Sequence, residues 1–387
     1  MRYDVIYRVL RRAISPFMRL RYGFRTDLLP EQEEPFLLLS NHTTEDDMFF
    51  TALAVRQPMT FVCGEHLLRN RTYGALLRKV FSPIPIPKGG STVPAVMRMI
   101  KRLRAGENLC LFYEGKRSYH GETIPAARSL GALVKKAGCG LVTYRIIGGY
   151  FTRPRWAGGN KRRGHVEGKV VGVYSSAQLA ELSAEEVTAL INRDTYENAY
   201  RTQREKHWVY RGKNRAEGLE SVLFLCPTCG GEDTIRTKGS RFFCERCGLA
   251  GEVDLQGFLA GSSLPYDNVL DWMRWIEGAF DDRVRRSEDG ALLSAAEDVT
   301  LFTRDENYTD HTVCTDRLEI FRDRLEIGGR SFAYADVPYM SVLYGNILLL
   351  TCRGVYYGLK GSSLKAWKCA RLWQLEKGLT HDKTKEI

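Results

Sequence analysis

From Pro35 onward, short continuous apolar runs alternate with stretches whose apolar residues recur at helical spacing. Phe36–Leu39, Met59–Val62, Leu109–Tyr113 and Gly140–Ile147 are apolar enough to be strands buried on both faces, while Asp46–Arg56, Thr92–Arg104 and Ala127–Ala137 have helical periodicity. Such alternation predicts an α/β domain of layered sheet and helices with a largely parallel sheet, spanning residues 23–215 and ending after a charged helix around Ser183–Lys206. Ahead of it, residues 1–22 read as a basic amphipathic helix. Val5, Ile6, Val9, Leu10, Phe17 and Met18 are its apolar positions, and Pro16 is expected to kink or divide it. That helix suits either a membrane interface or packing on its own domain.

The pattern changes after residue 215. Residues 222–254 are a small cysteine-rich module, and residues 265–290 hold one helix, Tyr266–Arg286, with Trp272 and Trp275 on its apolar side. Residues 297–380 then run as short β-type segments with turns at Gly328-Gly329 and Arg353-Gly354, closed by a helix from about Ser363 to Lys377. This succession predicts a small β-barrel or sandwich and faintly resembles a pleckstrin-homology-like module. The apolar stretch Val337–Cys352 contains Pro338, Gly345 and Asn346, so it is read as two strands and a turn. With no run of about 20 apolar residues, no transmembrane helix is expected. Charge at Asp4, Arg8, Arg11 and Arg12 interrupts any signal-peptide core.

Composition is ordinary for a globular chain of 387 residues, 44% hydrophobic and 27% charged. The net charge of +11 is uneven: residues 1–215 hold 36 Lys and Arg against 19 Asp and Glu, so the N-terminal part carries the whole positive excess. A basic surface attracts phospholipid headgroups, nucleic acid or an acidic carrier protein, and charge alone does not choose among them. Of the ten cysteines, four stand as Cys226-x2-Cys229 and Cys244-x2-Cys247, two knuckles each followed by glycine. Four thiolates so spaced predict a closed, tetrahedral structural zinc site in a ribbon. Phe242-Phe243 are expected to pack its small core, and Glu232, Asp233 and Glu245 offset its basic residues, which makes nucleic acid the less favoured partner.

Three stretches carry candidate chemistry. In LLLSNHTTEDDMFF, an apolar strand leads through Asn41-His42 into a helix for which Thr43 or Thr44 is the expected N-cap. With His42 just outside that helix and Asp47 one turn inside, the carboxylate can fix the imidazole tautomer and leave the second nitrogen to take a proton. In LCLFYEGKRS, Gly115 allows a tight turn and Arg117 offers a fork for phosphate. In FSPIPIPKGG, Lys88 and two glycines precede a helix, a plausible anion site. Each stretch also has a plainer reading, as a capped helix start or a solvated turn.

In this order, an NH-x4-D motif, a cationic turn, an F-x-EG-x-RS motif and a V-x-Y-R-I-x-G strand, the residues resemble the glycerolipid acyltransferase family, typified by lysophosphatidic acid acyltransferases. The resemblance covers roughly residues 30–210. It implies His42 as general base and Asp47 as its orienting partner. Lys88, Glu114, Gly115 and Arg117 would contact the glycerol-phosphate end, and Val142–Gly148 would line the acyl chain. It implies a lysophospholipid acceptor, probable site chemistry aside from any nucleophile, and acyl-coenzyme A or acyl carrier protein as thioester donor. It further implies a peripheral place on the cytoplasmic face of an anionic membrane. Tyr113, Lys116, Thr143 and Lys88 depart from the usual residues at their positions. The competing readings are another lysolipid acceptor, a lipid binder without activity, and a zinc-ribbon nucleic-acid-binding protein.

Overall fold

The apolar runs of the first half lie side by side in one seven-stranded sheet of order β1-β7-β6-β2-β5-β3-β4. Its strands are β1 (Arg25–Thr26), β2 (Phe36–Ser40), β3 (Met59–Gly64), β4 (Ile84–Ile86), β5 (Asn108–Phe112), β6 (Gly140–Ile147) and β7 (Glu167–Tyr174). Every neighbouring pair is parallel except β6 with β7. The computed structural model describes residues 2–65, 68, 73–86, 92–305, 309–343 and 346–379. Within it the chain divides into two units, residues 1–154 with 161–211, and residues 155–160 with 212–384.

Successive residues of a strand point to opposite faces. Phe36 and Leu38 of β2 enter one apolar core with Cys110, Val142 and Tyr144, and Leu37 and Leu39 enter a second with Leu109, Leu111 and Leu141. A sheet covered on both faces explains why these strands read as unbroken apolar runs. The charged stretch Ser183–Lys206 is two helices, Ala184–Thr195 and Ala199–Lys206, parted where Tyr196 is extended and Asn198 caps the second.

The N-terminal segment forms one helix, Arg2–Tyr22, and Pro16 does not divide it. Proline removes the hydrogen bond to the carbonyl of Arg12, and both residues are exposed, so water can serve that carbonyl. Tyr7, Met18 and Tyr22 pack into the first core. Arg11 donates from Nε to the carbonyl of Ala52, at 2.6 Å, and from Nη2 to that of Leu53, at 2.8 Å. It thus holds the carboxyl end of the helix Asp47–Ala54, where a cation opposes the helix dipole. The opposite side exposes Val5, Val9, Phe17 and Leu20. Among the described residues no helix is long and apolar enough to cross a membrane.

In the second unit, β8 (Ile235–Lys238), β9 (Arg241–Cys244), β10 (Ala250–Val253) and β11 (Leu259–Ala260) form an antiparallel sheet in sequence order. Only one of the two phenylalanines expected in its core is buried: alternation along β9 encloses Phe242 against Trp272 and leaves Phe243 40% exposed. Trp272, on the helix Val269–Arg286, donates Nε1–H to the carbonyl of Leu225 at 3.0 Å.

Seven further antiparallel strands follow. They are β12 (Leu292–Arg304), β13 (Asp310–Phe321), β14 (Arg324–Ile327), β15 (Arg330–Ala333), β16 (Tyr339–Leu343), β17 (Ile347–Cys352) and β18 (Val355–Lys360), in the order β15-β14-β13-β12-β18-β17-β16. Phe332 on β15 meets Tyr357 on β18 with ring centroids 5.0 Å apart. Four strand spacings separate them, about 19 Å in a flat sheet, so the sheet is rolled upon itself. Register shifts along β12 bend the strand that joins the two halves. The closing helix, Ala366–Glu376, is fastened by Arg371, whose guanidinium makes a fork to the buried carboxylate of Asp281. Asp281→Ala should therefore destabilise the protein by about 3–5 kcal/mol, since it strands a buried cation. Denaturant unfolding checks this, and a change under about 0.5 kcal/mol would show the pair carries little weight.

Candidate active site

At the carboxyl end of β2 the chain leaves the sheet through Asn41. The side chain of Asn41 continues the strand pairing by itself, donating Nδ2–H to the carbonyl of Ile146 at 2.9 Å and accepting its amide on Oδ1 at 2.8 Å. This fastens the next residue, His42, beside β6. Such an exit beyond the strand ends is where open α/β sheets bind ligands.

His42 Nδ1 lies 2.8 Å from Oδ2 of Asp47, which is fully buried at the start of the helix Asp47–Ala54. The expected N-cap roles are reversed. Neither Thr43 nor Thr44 accepts from the helix. Their amides and hydroxyls instead donate to the Asp47 carboxylate, from Thr43 Oγ1 at 3.0 Å and Thr44 Oγ1 at 2.8 Å. Asp46 occupies the cap position without a side-chain cap bond. The reason is the greater demand of a buried carboxylate, which takes the nearby donors to offset lost hydration. An acceptor of this kind favours the Nδ1–H tautomer, so Nε2 of His42 carries the lone pair that can take a proton.

The third motif grips the same histidine from the other side. His42 N–H donates to Oε1 of Glu114 at 2.6 Å, and the His42 carbonyl accepts from Ser118 N–H at 3.2 Å. The second oxygen of Glu114 accepts Ile124 N–H at 2.8 Å. Both oxygens of Glu114 are thus occupied by backbone amides. The ring of Phe112 stacks on the His42 imidazole at 4.8 Å and 22°. Gly115 has φ +67°, which only glycine adopts readily, and nothing lies within 4 Å of where a Cβ would be. The turn therefore borders open space. Arg117 and Arg153 both reach Glu45, Arg117 Nη2 at 3.2 Å from its Oε1. Lys88, the expected cation of the second motif, lies outside the described residues.

Sequence patterns did not single out Glu45 or Arg153. Arg153 follows the short helix Gly149–Thr152, whose approach depends on Gly149: a Cβ there would stand 2.2 Å from Thr43 Oγ1. Two family departures find partners here. Tyr113 Oη lies 2.7 Å from Thr195 Oγ1, and Thr143 Oγ1 donates to Asp194 at 2.8 Å. Behind His42 a cavity of about 10 Å³, bounded by Glu114, Ser118, Tyr150 and Glu197, has room for one water-sized sphere and none for a lipid.

The four cysteines of the second unit converge, their sulfurs all within 4.8 Å of one another. Sγ–Sγ separations are 3.6 Å for Cys226 with Cys247 and 3.8 Å for Cys229 with Cys244. A tetrahedron with metal–sulfur bonds of about 2.3 Å has edges of about 3.8 Å, so the donor set fits such an ion. Cys226 and Cys244 also accept the amides of Gly230 and Gly248 on their carbonyls, closing each knuckle.

Burial pushes the Glu114 carboxyl up to about 8, opposed by the amides of Ile124 and His42. The folded protein then holds this proton more tightly than the unfolded chain. Its stabilising contribution is complete below the ordinary carboxylate range and is lost as pH rises through about 8. The thermal midpoint should fall between about pH 6 and 9 more steeply for wild type than for Glu114→Gln, whose amide does not titrate. Parallel pH profiles would refute this assignment.

No curated protein matches the chain. Among solved structures, the chain is similar to that of the 1-acyl-sn-glycerophosphate (LPA) acyltransferase PlsC from Thermotoga maritima, with TM-score 0.41 and 18% identity over 53% of this chain and 79% of that one. Residues 24–147, which contain His42, Asp47, Glu114 and Arg117, match the protein-family model described as Acyltransferase, and that segment is an acyltransferase domain.

Proposed function

We propose that the protein moves a fatty acyl group from a thioester, acyl-coenzyme A or acyl carrier protein, to the sn-2 hydroxyl of 1-acyl-glycerol-3-phosphate. The observation that carries this reading is the 2.8 Å contact between His42 and buried Asp47 inside the segment that matches the Acyltransferase family. His42 Nε2 takes the proton of the acceptor hydroxyl as its oxygen attacks the thioester carbonyl. Asp47 stabilises the imidazolium so formed. The tetrahedral intermediate expels the thiolate, which recovers the proton from His42, leaving ester and free thiol. Arg117 and Lys88 hold the acceptor phosphate. Glu114, with both oxygens on backbone amides, positions the His42 peptide and does not itself face phosphate.

Val5, Val9, Phe17 and Leu20, exposed beside Arg8, Arg12 and Arg19, support peripheral binding of the first helix to an anionic membrane. Sulfur spacing supports zinc at Cys226, Cys229, Cys244 and Cys247. A seven-strand meander closed by a helix supports a pleckstrin-homology-like reading of the last domain.

Acyl transfer to lysophosphatidic acid on vesicles, with each donor in turn, tests the reaction. His42→Ala should lose about 10²–10⁴-fold in kcat, and equal rates in the two proteins would sink the mechanism. Metal analysis should give one zinc per chain, lost in Cys226→Ser, and a strong chelator should lower the unfolding midpoint. A metal-free wild type with an unaltered midpoint would remove zinc from the account.

A further inference from the structure

Three segments meet beside His42. Arg117 belongs to the turn whose next residue, Ser118, holds the His42 carbonyl. Glu45 lies in the loop between His42 and Asp47. Arg153 ends the helix Gly149–Thr152, which presses on Thr43. Their side chains converge, because both guanidiniums reach the one carboxylate of Glu45.

The charges do not balance. Two cations, 10% and 14% exposed, share a single anion that is 37% exposed. One unit of positive charge is left over, largely desolvated, next to the catalytic histidine. Donor capacity is also left over: Nε of Arg153 is buried and has no hydrogen-bond partner. A guanidinium offers five N–H groups in a planar fork, and a carboxylate cannot saturate two of them. A phosphate monoester carries about −1.5 to −2 charges and three acceptor oxygens, enough to satisfy both arginines. The carboxylate of Glu45, the most exposed of the three, is the group able to turn out into water.

We propose that Arg153 is a second ligand for the acceptor phosphate, paired with Arg117, and that Glu45 is an internal anion which holds the two arginines until phosphate displaces it. This rests on the acyl-acceptor reading above. It extends that reading to residue 153, beyond the segment that matches the family. Glu45 pre-sets the spacing of the clamp, and it also competes with substrate. Phosphate-bearing acceptors are thereby selected over neutral ones, because an uncharged headgroup cannot release Glu45.

Two measurements on the intact protein separate this idea from the reaction itself. Titration with glycerol 3-phosphate, read by calorimetry, needs no turnover. Arg153→Gln should weaken binding by about tenfold or more, and Glu45→Gln should strengthen it several-fold. Opposite changes in the two variants cannot come from general loss of folding. In the transfer assay, Arg153→Gln should raise KM for lysophosphatidic acid far more than it lowers kcat, and shrink the preference over monoacylglycerol. Wild-type KM and binding in Arg153→Gln, with wild-type transfer intact, would overturn the clamp and leave the reaction standing. Absence of transfer by wild type, with glycerol 3-phosphate binding still dependent on Arg153, would overturn the reaction and leave the anion site standing. Weaker binding in Glu45→Gln would overturn its role as a competing anion.

Discussion

Burying the Asp47 carboxylate is the constraint around which the first unit is arranged. A carboxylate removed from water must be surrounded by donors, and here they come from the segment immediately before it: the amides and hydroxyls of Thr43 and Thr44, and Nδ1 of His42. Meeting that demand fixes the path of the loop, and so fixes the imidazole at its end. The helix that carries Asp47 is in turn held at its far end by Arg11 from the N-terminal helix. Catalytic geometry is thus a by-product of satisfying one buried charge.

The parallel sheet supplies the platform for this arrangement. β2, β5 and β6 are neighbours, so their carboxyl ends bring Asn41, Glu114 and Ile146 to one edge. Asn41 imitates a strand residue toward β6, while Glu114 and Ser118 take the amide and carbonyl of His42 from the β5 side. The third motif therefore serves the base as much as the substrate. Its glutamate is spent on the backbone, and its arginine turns outward to share Glu45 with Arg153.

The second unit is also organised by charge. Lys368 is 2% exposed and bonds Glu232, Asp233 and Ser294, so the closing helix is tied to the residues that follow the first cysteine knuckle. Arg371 ties the same helix to Asp281. These contacts join the cysteine module, the helix Val269–Arg286 and the rolled sheet within one unit.

Local pattern was sufficient for much of this. Strands buried on both faces must be continuously apolar, so β2, β5 and β6 were legible in the chain to within a residue or two. Two knuckles of cysteine were legible because tetrahedral sulfur ligation imposes a short, fixed spacing. The spacing of His42 and Asp47 likewise foretold their contact. What the sequence could not disclose were relations between distant segments. It could not tell that Thr43 and Thr44 serve a carboxylate instead of a helix end, nor that Phe243 turns outward, nor that Pro16 leaves its helix whole. Above all it held no sign that Glu45, Arg117 and Arg153 meet, because 108 residues separate the ends of that triad and only the parallel sheet brings them together. Periodicity and spacing act along the chain, whereas the balance of buried charge is settled only once the chain has folded.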